Sequence, residues 1–187
     1  MFRRIQRLLS AVTVPILMLG LAQVGVASIP EATTPSPSSQ QTKDLTDRVQ
    51  HSLLMLPYYG VFDELSFRVE GDTVTLMGEV RQPILKSDAE GAVRRIVGVA
   101  NVVNNIEVLP LSHMDDSLRL MTYRAIFSRP GFEKYRIQAN KPIRIIVKNG
   151  NIKLVGMVGS QFDKTMAGMA AMNIPFAFSV ANDLKIG

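Results

Sequence analysis

The sequence predicts an α+β protein of two tandem αββαβ domains, each a three-stranded mixed sheet with two helices on one face. Two observations predict it. First, Val74-Thr75-Leu76-Met77-Gly78-Glu79-Val80 returns 78 positions later as Ile152-Lys153-Leu154-Val155-Gly156-Met157-Val158, and the register holds until Val102–Val108 falls on Val180–Ile186. A fixed offset over about 35 positions marks one unit built twice. Second, apolar residues alternate in three segments of each copy and recur at helical spacing in two others. The 187 residues contain no Cys, which removes disulfides, thiolate nucleophiles and Cys-based metal sites. Each unit has about 70 residues, and a core that small is marginal. Packing of one repeat on the other would enlarge the buried core.

The chain opens with a secretory signal peptide at residues 1–27. Arg3, Arg4 and Arg7 form its basic start, Leu8–Leu21 its apolar run, and Gly25-Val26-Ala27 the small residues of a cleavage site. A retained membrane anchor is the competing reading, because the run nearly reaches the length of a span. Pro15, Gly20 and Gln23 weaken such a helix. The mature chain is therefore expected to be periplasmic or secreted. Residues 28–42, rich in Pro, Ser, Thr and Gln, read as a flexible linker.

The first domain spans residues 43–110. Leu45, Val49, Leu53 and Leu56 fall at helical spacing over Asp44–Leu56, and Pro57 closes that helix. Leu65, Phe67 and Val69 alternate with Ser66 and Arg68, Glu70-Gly71-Asp72 supplies a turn, and Val74–Val80 returns. Pro83–Ile96 is the second helix, with its proline in the tolerated first turn. Val102–Val108 is the third strand.

The second domain spans residues 117–187, after a linker, Pro110–Asp116, that contains His113. Leu118, Thr122, Ile126 and Phe127 repeat the first helix at an offset of 73, and five extra residues enter across Tyr135–Pro142. Ile143–Val147, the Asn149-Gly150 turn, Ile152–Val158, a helix over Phe162–Asn173 and Val180–Ile186 complete the copy. Alternation leaves one face of each sheet apolar for the helices and the other open.

Charge divides unevenly. Residues 28–111 carry seven basic and eleven acidic side chains, and residues 112–187 carry eleven basic and five acidic. The repeats therefore have opposite signs, and such asymmetry between halves is a functional hint.

The strand Val-x-Leu-x-Gly-x-Val, carried by Val74, Leu76, Gly78 and Val80, and the ending carried by Gly98, Val99, Val102, Asn104, Ile106 and Val108 resemble the BON domain of bacterial osmotically inducible and nodulation proteins. Ile152, Leu154, Gly156 and Val158, then Val180, Asn182, Leu184 and Ile186, carry the resemblance in the second copy, which departs in having Phe176 where the first has Gly98. The resemblance implies a non-enzymatic envelope protein that attaches to phospholipid membranes and supports envelope integrity under osmotic stress. It brings no catalytic residues and no cofactor.

The residues themselves agree with that. His51 and His113 show no metal-ligand spacing, no phosphate-binding glycine loop is present, and no nucleic-acid motif accompanies the basic half. Gly78, Gly98 and Gly156 read as structural glycines, Gly78 and Gly156 allowing a helix to approach or marking a bulge. The open face of the second sheet mixes Arg144, Lys148, Lys153 and Lys185 with Ile146, Val155 and Met157. It suits an anionic phospholipid surface, or equally the acidic first repeat. Arg129, Lys134 and Arg136 surround Phe132, a ring that either meets a membrane interface or is buried. A periplasmic protein-interaction scaffold is the alternative function.

Overall fold

Each copy folds into its own three-stranded sheet in a computed structural model that describes residues 37–138 and 142–187. The expected signal peptide and the first part of the expected linker lie outside the described residues. Repeat one runs α1 (Pro37–Leu54), β1 (Glu64–Glu70), β2 (Thr73–Val80), α2 (Pro83–Arg94) and β3 (Asn101–Val108). Repeat two runs α3 (His113–Phe127), α4 (Glu133–Ile137), β4 (Ile143–Lys148), β5 (Asn151–Val158), α5 (Gln161–Met172) and β6 (Ser179–Ile186). In each sheet the middle strand pairs antiparallel with the first and parallel with the third. A parallel pair needs a crossover, which α2 and α5 provide.

The two cores follow the apolar periodicity. Leu45, Val49 and Leu53 of α1 meet Val74, Leu76 and Val80 of β2 and Leu85, Ala89 and Val93 of α2. Leu118, Ile126 and Phe127 of α3 cover Ile143, Ile145, Val147, Ile152, Leu154 and Val158. Asn104 and Asn182 fasten each crossover helix to its third strand. The Asn104 Nδ2 donates to Lys86 O at 2.9 Å, and the Asn182 Nδ2 to Lys164 O at 2.8 Å.

Four local features differ from the sequence reading. α1 starts at Pro37 rather than Asp44, so Pro37–Thr42 of the expected linker is helical. Proline suits a first turn, and this polar turn only extends a helix already anchored by Leu45 and Val49. His113 lies in α3 and not in a linker. Ser112 caps that helix, its Oγ accepting from Asp115 N–H at 3.2 Å. The single-turn α4 occupies part of the inserted segment and is held by buried Tyr135; one turn is too short to leave a periodic signal. Finally, Gly78 (φ +124°) and Gly156 (φ +115°) admit a neighbouring strand, not a helix. A Cβ at either would fall on the carbonyl oxygen of Glu64 or Pro142. Phe176 takes φ +67°, the left-handed region that Gly98 occupies in repeat one at φ +100°. The two loops therefore turn alike despite the substitution.

Candidate functional site: the cleft between the repeats

The two repeats lie in one compact unit, Pro35–Gly187. The segment Gly60–Asp63, just before β1, joins them. Val61 and Phe62 pack on the core of repeat two, not repeat one. The Phe62 ring meets Tyr123 edge-on at 6.2 Å. The β4 edge is closed by the same segment, Ile145 N–H donating to Val61 O at 2.8 Å. Asp63 fixes its shape: Oδ1 accepts from Arg81 N–H at 2.7 Å and Oδ2 from Gly60 N–H at 3.1 Å.

Arg144 is the central pin. Only 8% exposed, it donates from Nη1 to Gly60 O at 2.6 Å and lies 4.0 Å over the Tyr59 ring. Burial pulls its guanidinium below the usual range and pushes the Tyr59 phenol up. Both shifts follow from desolvation, and both groups keep their ordinary charge states near neutrality.

The acids of repeat one meet the cations of repeat two around this pin. Lys148 pairs with Glu107 at 2.6 Å, and Lys153 pairs with Glu79 and, at 3.2 Å, with Glu64. Burial works to lower the Lys153 pKa, but bonds to Glu79 and Glu64 hold it above its usual value. Arg81 reaches Asp116 at 3.7 Å. Ile146, on the outward side of β4, is thereby buried beside Glu79. Part of the open face of sheet two is thus covered by the acidic end of sheet one, consistent with the opposite charges of the two halves.

The rest of that face stays open and floors a cleft of about 880 Å³. Leu54, Tyr59 and Leu65 of repeat one form its wall; Val155, Met157, Asp183 and Lys185 of repeat two form its floor, with Arg144 and Lys153 between them. Met157 is 55% exposed. Among the described residues Lys185 is the cation of this set with no acidic partner. The cleft thus combines an apolar surface with one cation, Lys185, and one anion, Asp183, neither of which has an ion-pair partner among the described residues. Pockets of this size commonly lie where domains meet.

Four of the site residues expected on the open face, Arg144, Lys153, Met157 and Lys185, therefore line one cleft, while Lys148 stands in a neighbouring recess. The second expected group lies elsewhere. Phe132 is 2% exposed and packs with Tyr135 in the core, so its ring is not at the surface. Lys134 bonds Asp163 Oδ2 at 2.9 Å, and Tyr135 donates to the same oxygen at 2.6 Å. Tyr135 and then Lys134 hold the Asp163 carboxyl below its usual pKa. Arg129 is half-buried and Arg136 exposed at this end. Sequence reasoning missed the Gly60–Asp63 segment and Tyr59. The signal available was weak: Val61 and Phe62 are two apolar residues in a stretch with neither helical nor strand periodicity. Among the described residues no cluster of His, Asp and Glu could hold a metal ion.

The BON domain family model matches residues 41–110 and 132–187. No curated protein matches the chain. Two solved structures of CdsD, a structural protein of the type III secretion system of Chlamydia trachomatis, are similar over 77% of this chain. One, a C-terminal domain, is 13% identical with 98% of its length covered and a TM-score of 0.28; the other is 12% identical with 93% covered and a TM-score of 0.29.

Proposed function

Because this chain belongs to the BON domain family, we propose that it binds anionic phospholipid at the envelope membrane surface through the cleft between its repeats and so supports envelope integrity under osmotic stress. The family is envelope-associated and generally non-catalytic. No described helix is long and apolar enough to cross a membrane, so attachment through the described residues is by a surface.

The observation that carries the reading is the pairing of Lys185 with exposed Met157 on the uncovered part of sheet two. A phosphate headgroup would meet the Lys185 ammonium, a contribution of about 1 kcal/mol for a cation near an anionic surface. Acyl carbon would meet Met157, Val155 and Leu54. Arg144, Lys148 and Lys153 serve this site indirectly, since their bonds to repeat one hold the cleft open. Reversing those charges would disturb docking as well as binding.

The test is co-sedimentation of residues 28–187 with anionic and with neutral vesicles at low and high salt. Binding to anionic vesicles that fades with salt, and that Met157→Asp or Leu54→Asp abolishes in a folded protein, is the expected result. Binding that ignores both substitutions removes the cleft from the account. A second reading, a scaffold for another envelope protein, is favoured by one feature. Met172, Phe176 and Phe178 are exposed at the end of repeat two, Phe178 by 82%, and no charged residue lies between them. Salt-insensitive capture of a protein without vesicle binding would support that reading instead.

A further inference from the structure

We infer that β6 is a pairing edge and that two copies of this chain join by antiparallel β6–β6 contact centred on Leu184. β6 pairs with β5 alone among the described residues. Gly187 N–H donates to Val158 O at 3.0 Å, so the odd-numbered positions face β5. Val180, Asn182, Leu184 and Ile186 then turn their backbone N–H and C=O groups to the open side. The β4 edge is closed by Val61, but β6 carries no proline and no bulge, and no segment of that kind covers it among the described residues. Those are the devices that keep natural edges from pairing. Its one local cover is Asn182, whose Oδ1 accepts from Leu184 N–H at 3.5 Å, longer than the 3.2 Å of the corresponding Asn104–Ile106 bond.

The charges on this edge specify its occupant. Asp183 and Lys185 stand two apart on one face of β6, both exposed, and neither has an ion-pair partner among the described residues. A lone lysine would disfavour pairing. An aspartate two residues away makes the edge self-complementary in one sense only. Antiparallel pairing about Leu184 sets Asp183 of each copy opposite Lys185 of the other, twice over. These are non-hydrogen-bonded pairs, in which side chains come closest. Parallel pairing in register would set like charges together. A two-fold contact of this kind also closes on itself and does not propagate into a fibre.

Repeat one serves as an internal control. Its equivalent strand β3 presents Asn105 and Glu107, which are not self-complementary, and Glu107 is already taken by Lys148. Apolar area lies beside the inferred axis as well. Phe162, 70% exposed, opens α5 two residues before Lys164, the residue whose carbonyl holds Asn182. Ile186 on β6 itself is 54% exposed. Pairing would make a six-stranded sheet and join two clefts, because Asp183 and Lys185 line them, and it would engage the Lys185 ammonium that otherwise meets a headgroup, so that dimerisation and lipid binding compete for that side chain.

Sedimentation velocity of the protein purified as the cell processes it, without lipid and over a wide concentration range, tests this independently of any vesicle result. A dimer is expected. Lys185→Asp places like charges in both pairs and should raise the dimer dissociation constant by about a hundredfold. Adding Asp183→Lys to that variant should restore the dimer. Circular dichroism confirms that each variant is folded. A wild-type protein that stays monomeric, a dimer that Lys185→Asp leaves intact, or a folded swap variant that stays monomeric overturns the inference.

Discussion

Replacing Arg144 tests whether the two repeats behave as one body. The side chain is 8% exposed, and its interactions across the interface include Nη1 to Gly60 O at 2.6 Å, a longer bond to Asp63 O at 3.4 Å, and the stack on Tyr59 at 4.0 Å. A hydrogen bond from a charged donor contributes about 1.5–3 kcal/mol. A desolvated cation–π contact contributes about 2 kcal/mol. Counting the short bond and the stack, and discounting the long bond, Arg144→Ala should cost about 4 kcal/mol. Arg144→Lys should cost about half as much, because an ammonium can reach one carbonyl but loses the planar fork and the stack. Against a typical domain stability of about 5–15 kcal/mol the loss is easily measured. Urea unfolding gives the free energy, and its slope reports whether both repeats still unfold together. A loss below about 1 kcal/mol would refute the reasoning. The guanidinium would then be acting as a solvated surface charge, and something else would hold the repeats in place.

Two further outcomes follow from backbone and charge. Gly78→Ala and Gly156→Ala should each destabilise by about 3 kcal/mol or more, since positive φ and overlap with a carbonyl oxygen act together. Gly98→Ala should cost only about 1–2 kcal/mol, because a Cβ there meets nothing closer than Leu45 Cδ1 at 3.9 Å and only backbone strain remains. Thermal or urea unfolding of the three variants separates the cases, and equal losses would count against the overlap. Asp163 should make stability depend on acid pH. Its folded pKa is depressed, so its contribution is present above the unfolded value of about 4 and is lost as pH falls through the folded value. Tyr135→Phe removes the largest cause of that depression. The carboxyl titration followed by NMR should move up, and the acid-side loss of stability should begin at higher pH. An unmoved titration would show that Tyr135 does not govern this carboxyl.

The order of elements and most of both cores were legible in the linear pattern. Val74, Leu76 and Val80 alternate inward in β2, as do Ile152, Leu154 and Val158 in β5, and all six are buried. Such alternation is local, and burial of one face demands it wherever a strand forms. The 78-residue repeat likewise required no structure to see. The charge imbalance between the halves was visible too, but it left two destinations open for the basic face.

The tertiary structure decided between uses of individual residues. Lys153 finds Glu79 across 74 positions of sequence, and Arg144 finds Gly60 across 84. Neither pairing follows from periodicity, because it depends on how two finished sheets meet. Val61 and Phe62 join the core of the other repeat, and Phe132 turns inward where its charged neighbours would have suited a surface. The sequence by itself determined two αββαβ units with apolar inner faces, because that information lies in short-range spacing. Only the tertiary structure decided that the basic face would be half covered and half cleft. That outcome depends on long-range contacts among side chains whose types are equally suited to water, to lipid or to each other.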